Sequence, residues 1–109
     1  MKQKIIFPKN TNECLLVNCD NNSTIINDIS LMFPQFKYYF IVNGQSIHLR
    51  KNRNTPGDFS VLVPNIIDSD PKIKNMCDNY GGHPDAAGIN LKSEAKTLMV
   101  IEAIYNGLL

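Results

Sequence analysis

The 109-residue chain has no tryptophan and only three cysteines, Cys14, Cys19 and Cys77. An odd, small cysteine count does not build a disulfide framework, so reduced thiols are expected. Cys14 and Cys19 are too far apart for a Cys-x-x-Cys hook. A zinc site would need His48 or His83, the two histidines of the chain, as further ligands, and buried thiols are the simpler reading. Charge of one sign is also missing. Eleven basic and ten acidic residues leave a net charge of +1, so any affinity for phosphate must come from a local patch. No apolar run approaches the ~18 residues that cross a bilayer, which gives the expectation of no membrane partner. The basic start, Met1 to Pro8, has an apolar stretch too short for a signal peptide, and a cytoplasmic location is expected from that. There is no internal repeat and no low-complexity segment.

What remains is an ordinary globular composition, 43% apolar and 19% charged, in a length that suits one domain. Residues 1–12, polar and broken by Pro8, read as a tail or interdomain linker, with the domain at 13–109. Cys14-Leu15-Leu16-Val17-Asn18-Cys19 reads as a buried strand. Asp20 to Ser23 then reads as a helix cap for Ile25, Ile26, Ile29, Met32 and Phe33, which recur at helical spacing until Pro34. Tyr38 to Val42 is a second strand, and Asn43-Gly44 a hairpin turn. Ser46 to Arg50 alternates, with Ile47 and Leu49 on one face and Ser46, His48 and Arg50 on the other. Phe59 to Val63 reads as a short strand closed by Pro64. Asp70-Pro71 opens a helix whose stripe is Ile73, Met76, Cys77 and Tyr80, with Gly81 ending it. Ile89-Asn90-Leu91 is a short edge strand. Ser93 caps a last helix facing inward with Leu98, Ile101, Tyr105 and Leu108. The expected class is α/β or α+β, a small mixed sheet flanked by about three helices.

The densest chemistry lies in Gly81-Gly82-His83-Pro84-Asp85-Ala86-Ala87-Gly88. Glycines permit φ > 0 and close approach of a ligand to backbone amides. A glycine turn opening into a helix is an anion site, and His83 adds a side-chain donor. His83 has three readings: phosphate donor, metal ligand, or cap of the turn. One histidine with only Asp85 nearby is a poor metal cluster, and phosphate donation is preferred. A thiol–base pair of Cys77 and His83 is disfavoured because Cys77 falls on an apolar stripe.

Together with Ile89, this stretch resembles the Gly-Gly-Gly-His-x-x-Ala-Ala-Gly-Phe signature of the DHH-associated C-terminal domain. That domain ends DHH-type phosphoesterases: RecJ exonucleases, nano-RNA and oligoribonuclease enzymes with pAp phosphatase activity, and cyclic dinucleotide phosphodiesterases. Tyr80 departs from the pattern, standing where the family has a glycine. Ile47-His48-Leu49-Arg50-Lys51 is similar to the family's Ser-Leu-Arg-Ser run, with His48 and Lys51 in place of the serines. The resemblance implies that Arg50 reaches a substrate phosphate, which suits a planar, always charged guanidinium. It implies a compact mixed sheet with helices packed on it.

The substrate-binding residues expected are Arg50, Gly81, Gly82 and His83, with His48, Lys51, Tyr80, Ala87 and Gly88 as neighbours of lower rank. Tyr80 is weighed as a stacking platform against plain packing. The ligand expected is the phosphate of a nucleotide or single-stranded oligonucleotide. The family's metal ligands lie in a catalytic domain that bears an Asp-His-His sequence, absent here. The resemblance therefore implies manganese or magnesium in that separate domain, in the same parent chain or another, and no cofactor in this one. The isolated chain is expected to be a non-catalytic part of a hydrolase. The alternatives are a stand-alone nucleic-acid-binding module, like the related domain of alanyl-tRNA synthetases, or a degenerate interaction module without catalysis.

Overall fold

A computed structural model describes residues 14–18, 23–52, 54–93 and 95–108, with the side chains of 23–27 excepted. The expected linker, Cys19 and the Asp20 cap lie outside the described residues. The elements run β1 (Cys14–Asn18), α1 (Ser23–Met32), β2 (Tyr38–Asn43), β3 (Ser46–Lys51), α2 (Phe59–Asp68), α3 (Pro71–Met76), β4 (Cys77–His83), β5 (Ala86–Leu91) and α4 (Thr97–Leu108). The five strands form one mixed sheet in the order β1-β2-β3-β5-β4. Only β1 and β2 run parallel, and α1 makes the crossover between them; the other pairs are antiparallel. The expected class is the observed one, with four helices described rather than three.

The two faces of the sheet are covered unequally. Leu16, Phe40, Ile47, Leu49, Ala87 and Ile89 face α2, α3 and α4 in the main core. On the other face Leu15, Val17, Tyr39 and Ile41 meet Ile29 of α1, with Phe33 and Phe36 closing the edge. The Tyr39 hydroxyl donates to the carbonyls of Phe33 and Phe36, which fastens the end of α1 to β2. This second core stops at β2. Helix α1 also lies against β3, and the same face of β5 and β4 has no described helix packed on it.

Three elements differ from the reading of the sequence. Phe59 to Val63 is helical, not extended. The Asp58 carboxylate caps α2 by accepting the Ser60 N–H at 2.9 Å. Phe59, Val63 and Ile67 then fall at i, i+4 and i+8 on the buried side. Burying each such side chain is worth ~1.5–3 kcal/mol, enough to carry Pro64 within the helix. A short apolar run does not separate strand from helix, and here packing decided it.

The helix expected to reach Gly81 ends at Met76, and Cys77 to His83 is strand β4. Asp70 does cap α3, with Pro71 in its first turn. The misreading has a definite cause. A bulge at Asp78 lets Cys77 and Tyr80, three residues apart, pair with Leu91 and Ile89, which are two apart. Both side chains therefore point to the core, at a spacing that imitates a helix. Finally, α4 starts at Thr97, after a turn containing Ser93, and buries Val100, Ile101, Ile104 and Tyr105. Leu98, expected inside, is 57% exposed.

Candidate phosphate-binding face

The glycine-histidine signature is a β-hairpin. Gly81, Gly82 and His83 end β4, Pro84 and Asp85 make a two-residue loop, and Ala86 to Leu91 form β5. The expectation of a glycine turn opening into a helix is overturned, and so is the positive φ that it assigned to these glycines. Among described glycines only Gly44 and Gly57 have φ > 0, at 60° and 116°. The anion site expected at a helix N-terminus is therefore not what this segment builds.

Pairing fixes which side chains share the open face, because directly opposed residues point the same way. Three rows cross β3, β5 and β4. Arg50 pairs with Ala86, and Ala86 with His83; His48 pairs with Gly88, and Gly88 with Gly81; Ser46 pairs with Asn90, and Asn90 with Asn79. Arg50 and His83, 33 residues apart in sequence, stand two strand spacings apart (~10 Å) with only an alanine methyl between them. His48, Arg50, Gly82, His83, Ala86, Ala87 and Gly88 line an open depression of about 190 Å³. Gly82 and Ala87 alternate to the opposite face, so they meet it through their backbone.

Arg50 is half-buried beside its cross-strand neighbour Tyr39, and its guanidinium donates to the Leu49 carbonyl at 2.9 Å. Burial lowers its affinity for a proton, yet guanidinium remains charged at neutral pH. Burial, and then the Arg50 charge, push the His48 imidazole below its ordinary value, so His48 is held neutral next to a fixed cation. Among the described residues no carboxylate lines the depression. The nearest in sequence, Asp85, is occupied elsewhere.

That occupation holds the hairpin tip. Lys51 points away from Arg50, as alternation requires. It is buried, donates from Nζ to the Thr55 carbonyl at 2.8 Å and lies 2.9 Å from the Asp85 carboxylate. The Lys51 N–H also donates to the Asp85 carbonyl, and the Phe59 N–H to the Pro84 carbonyl. His83, adjacent to this loop, is thus placed by contacts made on the other side of the sheet.

The remaining candidates separate cleanly. Tyr80 faces the helices and its hydroxyl donates to the Asp68 carboxylate, so it offers no stacking surface on the open face. Ala87 is a core methyl, and Lys51 is an anchor. A Cβ on Gly82 would lie 2.6 Å from the Ala86 carbonyl oxygen and from Ala87 Cα, so this glycine is required by strand packing. Cys77 points to the core and His83 to the open face, which dismisses the thiol–base pair; burial pushes the thiols of Cys14 and Cys77 up. The sequence reading put Ser46 on this face without ranking it among the site residues, and it missed Asn79 and Asn90. The Ser46 hydroxyl donates to Asn90 Oδ1 at 2.8 Å, and Asn90 Nδ2 to Asn79 Oδ1 at 2.6 Å. Alternation with His48 pointed to Ser46; the two asparagines needed the hairpin register.

Among the described residues no three His, Cys, Asp or Glu side chains gather where a metal ion would sit, and no residue of this face is assigned to one. No described helix is long and apolar enough to cross a membrane.

No protein-family profile matches the sequence, and no curated protein matches it. Solved structures do share the fold. RecJ from Thermus thermophilus in complex with Mg2+ aligns over 93% of this chain and 15% of its own length, at 11% identity and a TM-score of 0.55. The same protein in complex with Mn2+ aligns over 92% and 14%, at 12% identity and a TM-score of 0.55. An uncharacterized protein from Helicobacter pylori aligns over 95% and 27%, at 21% identity and a TM-score of 0.46. The chain thus has the fold of one segment of RecJ and spans about a seventh of that protein's length.

Proposed function

We propose that this chain is the substrate-recognition domain of a DHH-type phosphoesterase, of the DHH-associated C-terminal kind. It holds the phosphate of a nucleotide or short oligonucleotide on the open face of β3, β5 and β4. A separate metal-bearing domain hydrolyses the phosphodiester. The observation that carries this reading is the convergence of Arg50 and His83 on one face, across Ala86, with no described carboxylate in the depression they line. The RecJ-like fold and the signature residues support it from a second direction. Arg50 supplies a planar fork for two phosphate oxygens, and His83 an N–H from the other side. Fixing the substrate in register contributes through orientation, without any bond being made or broken here.

The test is a calorimetric titration with pAp, a dinucleotide and a longer single strand. Phosphate recognition predicts similar affinities for all three, each weakened by Arg50→Ala. A longer strand bound far more tightly than the dinucleotide points instead to a stand-alone nucleic-acid module. Binding of none points to a degenerate interaction module.

A further inference from the structure

The dipeptide Asn-Gly occurs twice in the chain, at Asn43-Gly44 and at Asn106-Gly107. In such a pair the glycine has no Cβ to hinder its nitrogen from meeting the amide carbon of the asparagine before it. The fold puts the two copies in opposite surroundings. Asn43 ends β2, and Gly44 begins the two-residue loop to β3. Asn106 and Gly107 lie within α4.

Gly44 is exposed, with φ 60°, and a Cβ built on it would meet nothing within 4 Å. Among the described residues its N–H has no acceptor. The loop is tied through the next residue instead, where the Gln45 carbonyl accepts from the Leu91 N–H at 2.8 Å. It also borders a cleft of about 320 Å³ lined by Leu16, Asn18, Val42, Gly44, Thr97 and Leu98, which gives water access.

In α4 the same dipeptide is restrained twice. A helical Gly107 N–H is committed to the carbonyl four residues back, that of Ala103. A Cβ on Gly107 would lie 2.7 Å from the Ile66 side chain, so the helix backbone packs directly on α2 here. Turning the Asn106–Gly107 peptide towards the asparagine side chain would cost both the hydrogen bond and the contact.

We propose that Asn43 is a site of self-modification, deamidating in the folded protein, whereas Asn106 is protected until α4 opens. The Gly44 nitrogen gives its proton to hydroxide and bonds to Asn43 Cγ. The Cγ–Nδ2 bond then breaks, and ammonia leaves with a proton from water. Water opens the resulting succinimide at either carbonyl. One opening gives aspartate at position 43; the other routes the main chain through Cβ and Cγ, as isoaspartate. One water is consumed and one ammonia released, with no oxidant or reductant. Because Asn43 pairs with Ser46, the new carboxylate extends the row Ser46–Asn90–Asn79. The isoaspartyl main chain is one carbon too long for the pair that closes the β2–β3 hairpin. The inference is independent of the phosphate reading.

The test incubates the full chain at mildly alkaline pH, with and without guanidinium chloride, and follows both sites by peptide mass mapping. Each asparagine is compared with its own rate in the unfolded chain. On folding, position 43 should slow by less than about tenfold. Position 106 should slow by more than that, as for a group that reacts only after a helix opens. Ammonia released by the folded chain should match the product at position 43, and Asn43→Gln, whose longer side chain does not form the five-membered ring, should abolish it. Slowing of position 43 by about tenfold or more on folding overturns the inference. So does equal slowing of the two sites, or ammonia release that survives Asn43→Gln undiminished.

Discussion

Lys51 and Asp85 meet at 2.9 Å, the lysine buried and the aspartate at the tip of the signature hairpin. This pair ties the end of β3 to the loop between β4 and β5. Asp85→Ala leaves a buried ammonium with only the Thr55 carbonyl as partner. It is expected to lower stability by ~1–3 kcal/mol, readable in urea unfolding. Lys51→Met combined with Asp85→Ala should recover part of that loss, because the charge that needed a partner is gone.

Arg50→Lys tests whether geometry or charge matters at the proposed phosphate site. The ammonium keeps the charge but loses the fork. Arg50→Ala is expected to weaken pAp binding ~10–100-fold, as for a charged hydrogen bond. Arg50→Lys should restore less than half of that loss in free energy. Full rescue by lysine would show that only the net charge counts.

Gly82 and Gly88 provide a matched pair for stability. Gly82→Ala forces a methyl into the Ala86 and Ala87 backbone and is expected to cost ~1–3 kcal/mol. Gly88→Ala meets open space and should be neutral or slightly stabilising. Thermal melts of the two variants side by side give the comparison. Equal melting temperatures would mean that the β4–β5 register in solution is not the one described.

Much of this face was legible in the sequence, and the failures were systematic. Alternation along Ser46 to Arg50 correctly put His48 and Arg50 together, because a strand with one buried face must alternate. The hairpin was found one residue early: Asn43 and Ser46 pair, and the loop is Gly44-Gln45 with φ 60° at Gly44. The extended nature of Gly81 to His83 was hidden by the bulge at Asp78, which gave Cys77 and Tyr80 a helical interval. Phe59 to Val63 was hidden by composition, since β-branched residues with a proline describe a strand until a second turn, Ile67, is buried against the core. The Asn79–Asn90 ladder depends on the register between two strands, and no local pattern carries it.

His48 sets a pH dependence whose sign is fixed by its surroundings. Its folded-state affinity for protons is depressed below the ordinary 6.5 by burial and by Arg50. Unfolded chains therefore take up the proton first. Stability should be level above about pH 6.5 and fall as pH drops through the folded value. His48→Gln should flatten this slope. A phosphate bound beside Arg50 offsets the cation, so the His48 titration, followed by NMR, should move up when pAp is added.

Tyr80→Phe removes the hydroxyl that donates to Asp68, on the helical side of the sheet. It should leave pAp affinity unchanged. A measurable loss would place Tyr80 within reach of the ligand and contradict the pairing of β4 with β5.

The anchoring of the hairpin tip from behind has a consequence for how related chains vary. Lys51, Asp85, Thr55 and Phe59 lie behind the open face, yet they hold the loop from which His83 projects. Drift at any of them displaces the histidine without altering a residue of the proposed phosphate site. Positions 51 and 85 should accordingly change together across descendants of this sequence. A lineage that loses one of them should be found to have shifted its ligand preference while keeping Arg50 and His83 intact.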